Sequence, residues 1–254
     1  HLKVFSNLDA TARLAVCFAS LVRPSRRAGL FAVHKDSNKD RMVMDGRPPN
    51  FFEESLNYWT KLMAMIHVIT FFVLEPMCVL ALYADDLIDY YYQFKVSKAR
   101  AQRNAFCGDF SYADFRDLRC CGKEFAGDEP LLPCLATMAM GDHIAVEFGQ
   151  QAHLSLAARS GSIRDGELLS LNSQVPRGPY LAGIIQDDHG ALEVERALEV
   201  GSDGYPNPQP DVPDDAIAPG RFAAMGDAYA HHHLAAHPDK RVRRAFSGTL
   251  WGGS

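Results

Sequence analysis

The sequence predicts an α+β fold in which an antiparallel sheet is backed by helices. Three observations predict it. The apolar run VLALYADD ends in two aspartates, Asp85 and Asp86; PYLAGII and GALEV bracket the polar turn QDDH; and from Gly141 onward Ala145, Phe148, Ala152 and Leu156 repeat at helical spacing. With 254 residues, 47% of them hydrophobic and 22% charged, the chain can bury a core as one large or two intimate domains.

Taken in order, residues 8–22 read as a short helix, and FAVHKDSNKDRMVMD as two strands around a charged turn. Leu56, Trp59, Met63 and Ile66 recur at three and four, which predicts an amphipathic helix. The stretch Met63–Tyr83 has transmembrane length, but His67 and the internal Glu75-Pro76 would be penalised in a bilayer, so it reads as buried helix plus buried strand. That strand delivers Asp85 and Asp86 to its end, and a helix is expected to continue through Lys98 and Gln102. Residues 107–134, rich in Asp, Cys and Gly, read as a connecting insertion. The helix from Gly141 stops near Gly161, and the QDDH hairpin follows. Five prolines between 202 and 220 predict a mobile loop, a last helix covers about 221–236 before Pro238, and AFSGTLWGGS reads as the first strand of another hairpin.

The formal charge of -5 is unlike that of a duplex-gripping protein, because Lys and Arg dominate phosphate binding. The average conceals a dipole. Arg23, Arg26, Arg27, Lys35, Lys39, Arg41 and Arg47 face only Asp36, Asp40 and Asp45, and the tail carries Lys240, Arg241, Arg243 and Arg244. Such runs suit phosphate contacts beside metal-binding acids, or simply a solvated face. The six cysteines form no CxxC pair, so reduced thiols in an intracellular protein of cytoplasm or nucleus are expected, with Cys107, Cys120, Cys121 and Cys134 too widely spaced for a zinc knuckle. His231, His232 and His233 are consecutive and point different ways on a helix, so they do not read as one metal site. The chain begins at His1 and stops in LWGGS, so it reads as a fragment.

Carboxylates at the end of a buried strand are costly without a cation. A strand ending in Asp86 beside a hairpin tip bearing Asp187 and Asp188 would converge such groups on one point, as nucleotidyl transfer by two divalent ions about 3.5–4 Å apart requires. Each acidic pair alone is an ordinary turn. Their order is more specific, and here the chain resembles the reverse transcriptase family over roughly residues 30–254. HKDSNKDRMVMDGRPPN resembles the fingers hairpin, ADDLIDYYYQF the first palm motif, MGDHIAVEFGQQAH the glycine-led segment and helix, and IIQDDHG the paired-aspartate hairpin. HLAAHPDK resembles the late lysine motif and TLWGGS the start of the primer grip. YADD at 83–86 spells the tetrad usual at the paired-aspartate hairpin, but that reading would leave QDDHG without a role and only Asp45 as an upstream partner.

The resemblance implies a right-hand polymerase with fingers over 1–80, palm over 81–254, the start of the primer grip at 245–254, and no thumb. It implies an RNA-directed DNA polymerase of a retrotransposon-like element, with an RNA or DNA template and its primer as partners, dNTPs as substrates and no membrane. Two Mg²⁺ ions, or Mn²⁺, would sit on Asp86, Asp187 and Asp188. Lys240 would protonate pyrophosphate; Lys35 and Arg41, with His34 as a further candidate, would embrace the triphosphate. Tyr91 would exclude a 2′-hydroxyl, Asp89 would act structurally or through its backbone, and Gly141 and Gln150 would support template and nucleotide. Ile185 departs from the family's aromatic before the aspartates, and Met140 from its glutamine. Two alternatives stay open: a decayed or domesticated copy kept as a nucleic-acid-binding or scaffold module, and an RNA-dependent RNA polymerase, which Tyr91 disfavours. The sequence sets no oligomeric state.

Overall fold

The computed structural model describes residues 2–37, 39–170 and 174–251. In chain order its main elements are α1 (Leu2–Ala10), β1 (Leu14–Phe18), β2 (Gly29–Asp36), β3 (Lys39–Asp45), β4 (Cys78–Asp86), α2 (Lys98–Arg103) and β5 (Leu131–Leu135). They continue with α3 (His143–Ser160), β6 (Tyr180–Ile185), β7 (Asp188–Arg196), α4 (Ala218–His231) and β8 (Val242–Ala245). The chain divides into two compact units that interleave along the sequence: 1–56 with 91–145, and 57–90 with 146–254.

In the first unit β1 pairs antiparallel with β5, Leu14 opposite Leu135 and Phe18 opposite Leu131, and β2 pairs with β3 as a separate hairpin. The segment 107–134 is built into this unit's core, where Phe115, Phe125 and Leu131 pack with Phe5, Leu14 and Val16. Two expectations are corrected here. Residues 8–22 are not one helix: α1 ends at Ala10 and Leu14–Phe18 is a strand. Its pairing with β5, far along the chain, overrides local propensity. AFSGTLWGGS contributes only its first residue to a named strand, Val242–Ala245, and its Gly252, Gly253 and Ser254 lie outside the described residues.

The second unit is an antiparallel sheet in the order β8–β4–β7–β6. Alternation puts Leu82, Leu181 and Leu192 on one face, in a core with Val68, Leu169 and Leu250. The other face is backed by helices. Phe222 of α4 stacks on His189 with ring centroids 4.5 Å apart and tilts against Tyr83 at 5.5 Å. Glu193 of β7 accepts from the Ile217 and Ala218 backbone N–H groups (2.5 and 3.0 Å), fixing the start of α4 against the sheet. The expected helix from Leu56 to Ile66 is replaced by 3₁₀ turns at Thr60–Leu62 and Ile66–Phe71. Buried Glu147 accepts from Trp59 N (2.7 Å) and Thr60 N (3.2 Å), a bond from α3 that local spacing does not report. No helix among the described residues is long and apolar enough to cross a membrane.

Candidate active site

β4 and β7 run antiparallel in a register that sets Asp86 opposite Asp188. β6 and β7 close through the two residues between the Ile185–Asp188 pair, Gln186 and Asp187. Gln186 takes φ of 54°, and Leu87 N donates to Asp187 O (3.0 Å), tying the turn to the end of β4. The sheet thus brings Asp86 and Asp188 together, with Asp187 beside them in the chain. All three are half-buried. Burial, then the charges of Asp187 and Asp86, push the Asp188 carboxyl up to about 6; the Lys240 charge opposes this, and protonated Asp188 donates to Asp86.

Lys240 reaches the same point from the segment after α4. Its Nζ donates to Asp86 Oδ2 (2.7 Å), while His237 N donates to Asp86 O (2.7 Å) and Ile88 N to Ala235 O (2.8 Å). Lys240 is therefore held on Asp86. Next along the strand, Gly183 and Gly190 face each other, and added Cβ atoms would collide with Ala64, Leu250 and Trp251. Leu250 and Trp251 thus pack on the aspartate-bearing sheet face; Gly252, Gly253 and Ser254 lie outside the described residues.

The remaining predicted residues are placed as follows. Gln150 is fully buried, with Nε2 donating to Ile184 O and Oε1 accepting from Gln186 N, both 3.0 Å. Asp89 is exposed with φ of 48°. Tyr91, Gly141, Lys35, His34 and Arg41 belong to the other unit. Tyr91 is half-buried in the 3₁₀ turn Tyr90–Gln93. Gly141 has φ of 107°, and a Cβ there would strike the Met44 carbonyl, so the position requires glycine. Arg41 is exposed on β3 opposite Val33, and His34 lies 3.5 Å from Asp40. Lys35 stands in β2, and its side chain lies outside what is described.

The sequence named the charged groups near the site but not their partners. Arg243 Nη2 donates to both oxygens of buried Asp85 (2.8 and 3.0 Å), with Arg241 at 3.4 Å. Arg244 pairs with Glu195 at 2.8 Å. The basic tail is therefore engaged by the chain's own acids rather than held out as a solvated face. Within the first run, Arg27 pairs with Asp109 and Arg47 with Asp45. His153 and Tyr229 lie beneath the Gln186 turn. Among the described residues no three His, Cys, Asp or Glu side chains converge as a ligand set. The opposed Asp86 and Asp188 would offer a magnesium ion the one or two carboxylates that it takes from a protein.

The architecture has a known counterpart. A foamy viral protease–reverse transcriptase, solved in complex with double-stranded DNA, is similar with a TM-score of 0.56 and 11% identity over 98% of this chain and 32% of that one. The fold is reverse-transcriptase-like. This chain spans about a third of that neighbour's length. No family profile and no curated protein matches the sequence.

Proposed function

We propose that the chain performs template-directed nucleotidyl transfer, extending a primer with deoxynucleotides on an RNA or DNA template. The observation that carries this reading is the register of Asp86 against Asp188, two carboxylates whose burial and mutual repulsion call for a cation. Asp86, Asp188 and their neighbour Asp187 would hold two magnesium ions, for which manganese can substitute. Bound there, the ions supply activation of the primer hydroxyl and neutralisation of the leaving pyrophosphate.

The chain's own residues do the rest. Lys240, held on Asp86, is the proton donor to pyrophosphate, and Lys240→Gln is expected to slow extension about a hundredfold. Lys35 and Arg41 hold the triphosphate, Arg41 as a planar fork and Lys35 as a point charge. Tyr91 excludes the 2′-hydroxyl, Asp89 meets the triphosphate through its backbone, and the segment led by Gly141 supports template and nucleotide. Gln150 holds the turn from which Asp187 and Asp188 project.

Primer extension on a homopolymer adenosine RNA template, with dTTP and UTP in parallel and magnesium or manganese present, tests the reading. Incorporation of dTTP alone is expected. Equal use of UTP removes the role given to Tyr91. A second reading, a nucleic-acid-binding module without turnover, is favoured by one observation: among the described residues no three ligand side chains converge. Binding of primer–template with no extension under either metal selects it.

A further inference from the structure

Helix α3 presents Gln150 and His153, three residues apart and therefore on one face, to the turn that carries the paired aspartates. The two side chains leave no polar backbone atom of Gln186 to chance. Gln150 Oε1 accepts from Gln186 N at 3.0 Å, and His153 Nδ1 donates to Gln186 O at 2.5 Å. The Gln186 side chain in turn donates to Val146 O of the same helix at 3.0 Å. This is where the turn needs holding. Gln186 has φ of 54°, a left-handed conformation in which a non-glycine Cβ crowds the following carbonyl oxygen. Such a conformation persists only where the surroundings over-determine it.

A carbonyl oxygen only accepts, so the bond to Gln186 fixes the Nδ1–H tautomer of His153. Its Nε2 is then an acceptor, and the Tyr229 hydroxyl of α4 donates to it at 2.6 Å. The imidazole is 1% exposed and Tyr229 3%. Burial keeps the ring neutral by pushing its pKa down to about 4. Tyr229, His153 and the Gln186 carbonyl thus form one directed chain of hydrogen bonds from α4 through α3 to the residue preceding Asp187.

We propose that His153, oriented by Tyr229, is a positioning residue that locks the Gln186 peptide so that Asp188 meets Asp86 in the geometry for a divalent cation. The proposal rests on the reading of Asp86 and Asp188 as a cation site. It assigns His153 no contact with substrate or metal.

The test is Mn²⁺ binding to the full chain, read by electron paramagnetic resonance of the free ion, with thermal melting in EDTA measured alongside. The wild-type chain should bind Mn²⁺ and Asp86→Asn should not. His153→Phe should weaken binding about tenfold or more, the size seen when a partner that orients a metal ligand is removed, while still melting cooperatively in EDTA. His153→Gln, which can donate to Gln186 O and accept from Tyr229, should recover most of the affinity. Unchanged Mn²⁺ affinity in His153→Phe, with Asp86→Asn still defective, overturns the positioning role and leaves the cation site standing. No Mn²⁺ binding by the wild-type chain, or equal binding by Asp86→Asn, overturns the cation site and the positioning role with it. Should His153→Phe not fold, Tyr229→Phe decides, since it removes one oxygen atom: weakened binding supports the proposal and wild-type affinity overturns it.

Discussion

Asp85 and Asp86 are neighbours on β4, yet their side chains point to opposite faces of the sheet and meet opposite treatment. On the helix-backed face, Asp85 is buried and held by Arg243 and Arg241; burial pushes its carboxyl up and the two guanidinium groups pull the other way. On the other face, Asp86 gathers further acids, Asp188 opposite it and Asp187 beside that, with Lys240 paired to Asp86. Compensated charge on the first face serves the fold. Acids that repel one another on the second face would be relieved by a ligand that brings positive charge, which is what the proposed cation site requires.

That contrast can be broken or sharpened by experiment. The largest expected effect is on the aspartate face. Asp188→Asn should lower primer extension by about a thousandfold or more, equivalent to roughly 4 kcal/mol of barrier, without lowering the melting temperature at pH 7. The next concerns the helix-backed face, where burial holds His153 at about 4 and His189 well below the ordinary histidine value. The unfolded chain takes up those protons first, near pH 6.5, so the stability present above pH 6.5 is lost as pH falls toward 4. Each histidine contributes a slope of about 1.4 kcal/mol per pH unit. Urea midpoints measured across this window check it, and His153→Gln should flatten the slope.

Smaller still, Asp85→Asn should cost about 1–3 kcal/mol of stability by unpairing Arg243, while extension at saturating metal stays near the wild-type rate. Loss of activity in a stable Asp85→Asn chain would remove the distinction between the two faces. Smallest is Lys240→Met, whose effect on the urea midpoint should correspond to less than about 1 kcal/mol, because the lysine is 54% exposed and the pair is screened by water.

Much of this sheet was legible in the sequence because its signals are local. VLALYADD and PYLAGII are apolar runs ending at polar turns, and the helix after Gly141 was legible with its glycine stop but not its buried face, since Phe148 of the expected face is exposed and Glu147, Gln150 and His153 are buried. What was not legible depends on partners distant in the chain. LAVCF is a strand only because β5 lies opposite it, and the Leu56–Ile66 segment breaks into 3₁₀ turns where Glu147 takes its backbone N–H groups. At the site, Asp86 and the Asp187–Asp188 pair could be read from motif order. Their register could not, nor the pairing of the basic tail with Asp85, Asp86 and Glu195. His153 carried a weak signal, standing three residues after Gln150 in QQAH, whereas nothing in the sequence around Tyr229 ties it to the turn.

The most direct test of the central claim, that Asp86 and Asp188 form a cation site for nucleotidyl transfer, is metal-dependent extension of a labelled primer by the wild-type chain and by Asp188→Asn. The account predicts dTTP addition that rises with Mn²⁺ or Mg²⁺ in the wild type and is absent from the variant. Extension by both chains alike, or by neither at any metal concentration, would contradict it.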